Sequence, residues 1–329
     1  MPQTLVMGID GGQSTTRALI ADIEGNFLGF GAGGAANHIH EPCGPERLRQ
    51  SLRKALEGAM LSASLPSSSR FAVVLCGMTG AGPLVEQICR EELPADQVVV
   101  VHDTRTALYC ITQGKPGAVV IAGTGSAAFG MNEQGDTASV GGWGYLLGDE
   151  GSAYWIVLQA LNECTRAEDG RVPNTWLKRA LLEHFGVDDL RTLHRLIYSG
   201  ELSRADIASA ARAVSDAARL GARTAIRILS AAGRELGLMA VVVLRRLEMQ
   251  YDRVNVGIVG GVARAASPLH EAFQERVYRS TLAAVVRPRF PMVAAAVCMA
   301  LEQMGIEVGE PLWQKITDQL TQMGLETVS

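Results

Sequence analysis

The sequence predicts an α/β protein made of two related lobes, and three observations lead to this class. Continuous Val- and Ile-rich runs alternate with segments of helical spacing, which is typical of a partly parallel sheet covered by helices. A strand, glycine-rich turn and strand near residue 5 recur near residue 118. The breaker-rich GKPG at 114–117 separates the two patterns. We therefore expect a first lobe at 1–115 and a second lobe at 116–329.

The first lobe begins with three strands, because TLVMGID, RALIADI and FLGFGAG are apolar runs separated by turn residues. Helical spacing follows, and then buried strands alternate with helices. The predicted strands lie at 4–10, 17–23, 27–33, 71–80 and 97–103, and the predicted helices lie at 45–61, 83–92 and 104–113.

The second lobe restarts the pattern with AVVIAGTGSAAFGM at 118–131, which predicts a strand, a turn and a strand. NEQGD at 132–136 supplies the next turn. Residues 150–250 are mostly helical, and the run 222–250 has almost no helix breakers. VNVGIVGGVA at 254–263 predicts a buried strand that ends in two glycines, and helical segments close the chain.

The composition excludes several classes of function. The chain has 329 residues, a net charge of -4 and no basic run, so it lacks the electrostatic footprint of a nucleic-acid-binding protein. No apolar run reaches the roughly 18 residues of a membrane span, and the amino terminus lacks a signal-peptide pattern. Six cysteines without a CxxC pair lie mostly in apolar runs, as free thiols do. We therefore expect a cytoplasmic protein without nucleic-acid or membrane partners.

The first candidate site is GIDGGQSTTRALI at 8–20, where a strand ends in an acid and two glycines. Glycines let a ligand approach the backbone, and the following hydroxyl and N–H groups can hold phosphate oxygens. Asp10 is placed to hold a hydrated Mg²⁺. An ordinary hairpin turn explains the same spacing equally well. The candidate phosphate-binding residues are Gly11, Gly12, Gln13, Ser14 and Thr15.

Two further glycine turns follow strands. GTGSA at 123–127 repeats the first turn, and GIVGGVARA at 257–265 could place flat backbone against an adenine or ribose, although an ordinary strand-to-helix turn is the commoner explanation. The runs 123–127 and 29–34 also match the glycine spacing of dinucleotide-binding folds, but neither has the required helix and acid. A Walker A sequence is absent.

Asp103, in VVVVHDTRTAL, is the candidate catalytic acid–base group. It ends a buried strand and starts a helix, and ligands bind at that edge of α/β sheets. A carboxylate there can accept a substrate proton, or it can simply cap the helix, since Asp favours that position. The nucleophile motif GxSxG and the zinc motif HExxH are both absent.

Together these motifs, with GGWGYLLGDEGSAYWI at 141–156, resemble the N-acetylglucosamine kinases of the BadF/BadG-type ATPase family. The resemblance implies a two-lobed actin-like, ribonuclease-H-like ATPase fold with a nucleotide cleft between lobes that close on the substrate. It also implies ATP and Mg²⁺ as cofactors, a homodimer, and a last helix from about residue 311 that packs on the first lobe. The implied reaction is ATP-dependent phosphorylation of an amino sugar, N-acetyl-D-glucosamine to its 6-phosphate.

The resemblance also assigns roles residue by residue. Asp103 is the catalytic base, and Asp149 accepts hydrogen bonds from sugar hydroxyls. Trp143 lies among glycines with no core face to join, so we expect it in the sugar site, whereas Glu150 is expected to cap the next helix. The implied sugar-binding residues are Asn37, Asp103, Ser126, Ala127, Gly142, Trp143, Gly144, Tyr145 and Asp149. The implied nucleotide-binding residues, besides the first turn, are Gly123, Thr124, Gly125, Gly260, Gly261 and Ala265.

Several alternatives stay open. Some relatives carry Asn where this chain has Ala127, so glucosamine and N-acetylmannosamine are also candidate substrates. Within the same broad family, the chain could be an ATP-driven activator of a reductase that shares an iron–sulfur cluster across a dimer. An actin-like or chaperone-like ATPase has no use for the loop at 141–151, and a nicotinamide dehydrogenase has the least support.

Overall fold

The computed structural model describes residues 4–36, 39–173 and 176–324. They fall into two units. Unit 1 contains the described part of 4–113 together with 288–324, and unit 2 contains the described part of 114–287. Among the described helices, none is long and apolar enough to cross a membrane.

Unit 1 begins with a five-stranded mixed sheet whose strand order is β3-β2-β1-β4-β5. The first two pairings are antiparallel, and β1–β4 and β4–β5 are parallel. Strand β1 is buried along its whole length, which explains its continuous apolar sequence. The elements are β1 (Leu5–Gly11), β2 (Thr16–Asp22), β3 (Phe27–Gly33), α1 (Gly44–Ser62), β4 (Phe71–Met78), α2 (Pro83–Glu92), β5 (Ala95–His102) and α3 (Asp103–Thr112).

Unit 2 contains a second five-stranded sheet and most of the helices. Its elements are β6 (Gly117–Ala122), β7 (Ser126–Met131), β8 (Thr137–Gly141), α4 (Ala153–Glu168), α5 (Trp176–Phe185), α6 (Leu190–Tyr198), α7 (Arg204–Ser209), α8 (Ala211–Arg219), α9 (Arg223–Arg246), β9 (Asn255–Val259), a 3-10 helix (Gly261–Arg264), α10 (Ser267–Tyr278) and β10 (Ala284–Val285).

The second sheet repeats the first. Its order is β10-β9-β6-β7-β8, with β6–β7 and β7–β8 antiparallel and β6–β9 and β9–β10 parallel. Strands β6 to β10 therefore take the places of β1 to β5 in the same order. The internal similarity seen in the sequence reflects two sheets of one topology. The short strands β8 and β10 were not predicted.

Two helices return the chain to unit 1. Helix α11 (Met292–Gln303) packs on β1, and α12 (Glu310–Gln322) follows it. A Cβ atom on Gly8 would lie 2.5 Å from the Val297 nitrogen and 2.6 Å from the Val293 oxygen, so the helix backbone nearly touches the strand. The sequence analysis assigns 116–329 to the second lobe, but residues from 288 onward belong to unit 1. The reason is this close packing of small residues, which the local pattern does not reveal.

Helix α12 lies against the turn between β2 and β3. The Gln319 side chain accepts a hydrogen bond from the Phe27 backbone nitrogen at 2.7 Å and donates one to the Gly25 oxygen at 2.9 Å. The Lys315 ammonium donates to the Glu24 oxygen at 2.8 Å. These contacts satisfy backbone groups of the turn that strand pairing leaves free.

Candidate active site

The first glycine turn is held by one hydrogen bond within the turn and by two from neighbouring segments of unit 1. Inside the turn, the Gly12 nitrogen donates to the Thr15 oxygen at 2.9 Å. The Gly11 oxygen accepts from the Thr79 nitrogen and the Gly12 oxygen from the Ala36 nitrogen, at 2.9 and 3.0 Å. The turn is thus the connection of an antiparallel pair, as the hairpin alternative requires. Its tip remains exposed, and the exposed residues are Gln13, Ser14 and Thr15.

Asp10, the residue before this turn, is a buried carboxylate with an incomplete set of partners. Only 5% of the residue is exposed, and its Oδ1 atom has no hydrogen-bond partner among the described residues. Burial raises the pKa of Asp10 to about 7, the charge of Arg17 opposes the rise, and the charge of Asp103 adds to it. An unsatisfied buried carboxylate beside a second carboxylate suits a cation ligand. The residues present therefore fit a Mg²⁺ ion.

Asp103 lies in the first turn of α3 with a largely covered side chain, 18% of which is exposed. The helix cap is not Asp103 but His102, whose Nδ1 atom accepts the Thr104 backbone nitrogen at 3.3 Å. The capping alternative for Asp103 is therefore wrong, because the preceding residue already fills that position. The Asp103 Oδ1 atom lies 2.8 Å from His102 Nδ1. Sequence analysis missed His102, although it stands next to the candidate base.

In unit 2, three glycine-containing segments lie at one edge of the sheet. Strands β6 and β9 are parallel, so the turn after each begins at the same edge, where β7 starts and β8 ends. The segments are the turn Gly123–Gly125, the loop Gly141–Gly151 and the turn Gly260–Gly261. No described atom lies within 4 Å of a Cβ built on Gly123 or Gly261, so both backbones face open space.

Gly260 explains why the third turn needs glycine. Its φ is +98°, and a Cβ there would lie 2.6 Å from the Ala122 oxygen, so a side chain is excluded on both grounds. The 3-10 helix follows and ends at Arg264, and the nitrogen of the next residue, Ala265, donates to the Val262 oxygen at 2.9 Å. The predicted third turn therefore packs against the end of β6, beside the second turn.

The loop 141–151 is fastened to the second turn through Ser126 and Asp149. The Ser126 nitrogen donates to Asp149 Oδ1 at 3.2 Å, and the Ser126 hydroxyl donates to the Glu150 oxygen at 2.8 Å. The Gly142 nitrogen donates to the Ser126 oxygen at 3.0 Å. Asp149 is buried with a φ of +63°, and a Cβ on Gly125 would lie 2.8 Å from its Oδ2 atom. The predicted residues Ser126, Gly142 and Asp149 are therefore brought together.

The aromatic side chains of the loop are exposed. Trp143 is 74% exposed and does not join the core. The Tyr145 ring packs edge-on against Tyr154 at 5.4 Å, and the Arg204 guanidinium lies over it, 5.4 Å from its centroid. Leu146 and Leu147 are exposed beside them. Sequence analysis missed Arg204, because nothing in the local pattern of α7 points to a loop so far away in the chain.

The expectations for Glu150 and Asn37 are not confirmed. Glu150 does not cap α4, because the cap is Ser152, whose hydroxyl accepts the Trp155 nitrogen at 3.1 Å. Glu150 is exposed and contributes its backbone oxygen instead. Asn37, the sugar-binding residue that the resemblance implies in unit 1, lies outside the described residues.

A model of the BadF/BadG/BcrA/BcrD ATPase family matches residues 7–301 of the chain. The chain belongs to this family. It is similar to an N-acetylmuramic acid/N-acetylglucosamine kinase of Clostridium acetobutylicum, with 32% identity over 82% of this chain and 89% of that protein. It is also similar to a glucosamine kinase of Vibrio cholerae, with 28% identity over 55% of this chain and 62% of that protein.

Solved structures share the fold of this family member. A Chromobacterium violaceum protein, provisionally assigned as an N-acetylglucosamine kinase, is 26% identical, and the match covers 91% of this chain and 99% of that one with a TM-score of 0.72. A ROK family glucokinase of Streptomyces griseus, solved with glucose and AMPPNP, is 15% identical over 91% and 99%, with a TM-score of 0.59. The α/β fold class of actin-like ATPases and sugar kinases, expected from the sequence, is confirmed.

Proposed function

We propose that this protein is an ATP-dependent kinase that phosphorylates an amino sugar, N-acetyl-D-glucosamine at its 6-hydroxyl. The observation that carries the proposal is the pair of carboxylates Asp10 and Asp103 beside an exposed glycine turn. The charges of the two carboxylates interact, and neither carboxylate caps a helix, so capping does not account for their presence. Support comes from the relatives, since a kinase of amino sugars matches most of the chain.

In the proposed reaction, Asp103 accepts the proton of the sugar hydroxyl as that oxygen bonds to the γ-phosphorus of ATP. The bond from phosphorus to the bridging oxygen then breaks, and ADP leaves with that oxygen. Backbone N–H groups of the turns at Gly11–Thr15 and Gly123–Gly125 hold the phosphates, and the turn Gly260–Gly261 with Ala265 holds the adenosine. Asp10 would hold Mg²⁺, and the ion would supply neutralisation of the charge on the triphosphate.

The sugar is assigned to the loop of unit 2. Carboxylates accept hydrogen bonds from hydroxyl groups, and aromatic faces cover the C–H patches of a sugar ring. Asp149 is a buried carboxylate held against the second glycine turn through Ser126, and Trp143 is exposed and does not join the core. The carboxylate suits the hydroxyl groups of a sugar, and the indole suits its C–H patches. The proposed sugar-binding residues are Asn37, Ser126, Ala127, Gly142, Trp143, Gly144, Tyr145 and Asp149, with Asp103 at the reacting hydroxyl.

The reductase-activator alternative has less support, because a cluster held across a dimer needs surface thiols. All six cysteines lie in the described ranges, and only Cys43 is exposed. The free thiols suit the reducing cytoplasm, where we place the protein. We also propose that the protein is a homodimer. Light scattering at two protein concentrations gives the molar mass that tests this.

The deciding experiment is ADP release measured with N-acetylglucosamine, N-acetylmuramic acid, glucosamine, N-acetylmannosamine and glucose. We expect the highest kcat/KM with N-acetylglucosamine and dependence on both Mg²⁺ and sugar. Preference for glucosamine would change the substrate within the class. ADP release that no sugar stimulates would contradict the kinase and favour an ATPase without a small substrate.

A further inference from the structure

His102 has three polar neighbours at a single ring nitrogen. Its Nδ1 atom lies 2.8 Å from Asp103 Oδ1, 3.1 Å from Thr104 Oγ1 and 3.3 Å from the Thr104 backbone nitrogen. About half of the His102 side chain, 51%, is exposed, so water reaches the imidazole. The histidine therefore contacts both the amino terminus of α3 and the candidate base.

These contacts need opposite states of Nδ1. A bare Nδ1 accepts the Thr104 N–H and caps the helix, but then it faces the Asp103 oxygen with a lone pair. A protonated Nδ1 donates to Asp103 Oδ1, but then it cannot accept the Thr104 N–H. Capping and holding the carboxylate are therefore mutually exclusive at Nδ1: the imidazolium and the neutral Nδ1–H tautomer hold Asp103, and the neutral Nε2–H tautomer caps the helix.

The charged groups near this pair favour the protonated state. Asp103 lies on α3, Asp10 on β1 interacts with it, and Arg17 on β2 interacts with Asp10. The neighbour of His102 across the sheet, Met78 on β4, is apolar. The hydrogen bond to Asp103 raises the pKa of His102 above its usual value, burial opposes this, and the charge of Asp103 adds to the rise.

We infer that His102 is a positioning residue that makes the base Asp103 available at neutral and higher pH and withholds it in acid. The imidazolium occupies Oδ1 and balances the charge that would attract the substrate proton. Loss of a proton to water removes the positive charge beside Asp103, and in the Nε2–H tautomer it also returns a bare Nδ1 to the helix. The inference rests on the proposed function, in which Asp103 accepts the sugar proton.

The substitution His102→Asn separates this role from capping. Asn is among the best N-cap residues, so the variant keeps the helix cap and removes only the titrating group. The substitution His102→Ala removes both and is expected to lower the free energy of unfolding by about 1 kcal/mol. A loss of activity that arises from the missing cap would therefore appear in His102→Ala alone.

The test compares kcat and sugar KM of the wild type and His102→Asn over about pH 5.5–8.5, with each profile normalised at its alkaline end. Near pH 6 we expect the variant to retain at least about threefold more of its kcat, with an unchanged KM, because a group of histidine pKa is mostly protonated there. Asp10 titrates in both proteins, so the difference between the two profiles, rather than either profile alone, reports on His102. Superimposable normalised profiles would overturn the inference.

A second measurement does not depend on turnover. The ¹⁵N shifts of the His102 ring, followed against pH, give its protonation state directly. In Asp103→Asn the anionic partner is gone, and we expect the pKa of His102 to fall; an unchanged value would overturn the coupling. If the wild type releases no ADP with any sugar, the proposed function fails, and the ring titration still tests the pair itself.

Discussion

At the scale of single residues, a substitution of Asp103 is expected to change the catalytic rate without changing the stability of the fold. Its side chain does not cap α3, because His102 does. We therefore expect Asp103→Asn to leave the unfolding midpoint nearly unchanged and to lower kcat by about 100-fold or more, the usual contribution of a positioned base. Sugar KM should change by only a few fold. Glu46→Gln, at an acid in the first turn of α1, is the matched control. Near-normal turnover in folded Asp103→Asn would remove the base assignment.

Asp10 gives a prediction in which stability and activity move in opposite directions. Its folded-state pKa of about 7 lies above the ordinary aspartate value of 3.8, so the folded protein binds this proton more tightly than the unfolded chain does. Stability contributed by the protonated form is present below pH 3.8 and is lost as pH rises towards 7. At about 1.4 kcal/mol per pKa unit, the cost at pH 8 is up to roughly 4 kcal/mol.

Asp10→Asn should therefore be more stable than the wild type at pH 8 in the presence of a chelator, by an amount that shrinks as pH falls towards 5, while kinase activity is lost. Asp22→Asn is the control, because Asp22 is equally buried but accepts bonds from the Asn26 nitrogen at 2.8 Å and its side-chain amide at 2.7 Å. That variant should be destabilised. The free energy of unfolding of each variant is measured with denaturant at several pH values. An Asp10→Asn variant that is less stable than the wild type at pH 8 would contradict the raised pKa of Asp10.

At the scale of elements, the loop 141–151 depends on Asp149 for its shape as well as for the proposed sugar contact. Asp149 has a φ of +63° and accepts the Ser126 nitrogen. Asn tolerates this backbone region and can still accept that bond, whereas Ala does neither well. We expect Asp149→Asn to raise sugar KM at least about tenfold with little change in ATP KM or stability, since a hydroxyl partner is lost. Asp149→Ala should lower both sugar affinity and stability. Unchanged sugar KM in both variants would make the loop structural.

Trp143 allows sugar binding to the same loop to be observed without turnover. Because its indole is exposed, its emission should change when N-acetylglucosamine is added without nucleotide. Trp143→Phe should remove most of this change, whereas Trp176→Phe, at another exposed tryptophan, should leave it. A response that survives in Trp143→Phe would show that the indole is not at the sugar.

Substitutions of the neighbouring glycines Gly260 and Gly261 distinguish a role in folding from a role in nucleotide binding. A Cβ on Gly261 meets no described atom within 4 Å, and its φ is not in the left-handed region. Gly261→Ala should therefore fold normally, and its added methyl should raise ATP KM if adenosine lies against this backbone. Gly260→Ala, where the added atom overlaps the Ala122 oxygen, should instead lose stability. An unchanged ATP KM in Gly261→Ala would remove the nucleotide assignment there.

The sequence predicts the elements that have strong local patterns and misses those that do not. The buried strands carry continuous Val and Ile runs, and their predicted limits lie within a few residues of the observed ones. Strands β8 and β10 are short and only partly buried, so they leave no clear periodicity. The glycine turns could be predicted because clustered glycines after a buried strand are a local sequence signal, whereas Arg204 and the cap at His102 depend on contacts that propensity does not encode.

At the scale of the whole molecule, the close approach of α11 to β1 is the feature most sensitive to a single methyl group. Gly8→Ala would place a Cβ 2.5 Å from the Val297 nitrogen, so the helix must move away from the strand. We expect a loss of about 1–3 kcal/mol in the free energy of unfolding, the usual cost of overpacking. Gly12→Ala, whose nearest described atom would lie at 3.5 Å, is the control for stability. Equal stability of the two variants would contradict this packing.

The return of α11 and α12 also has a consequence for synthesis of the chain. The first sheet emerges early, but the helix that covers β1 begins only at Met292, after the whole of unit 2. At the usual 5–20 residues per second, the ribosome needs roughly 10–40 s to translate from Gln113 to Met292. During that time unit 2 is being translated, and the face of β1 that α11 covers in the folded protein has no helix to pack against. The unit that starts first is therefore finished last, because its sheet is complete in sequence long before the helix that covers β1.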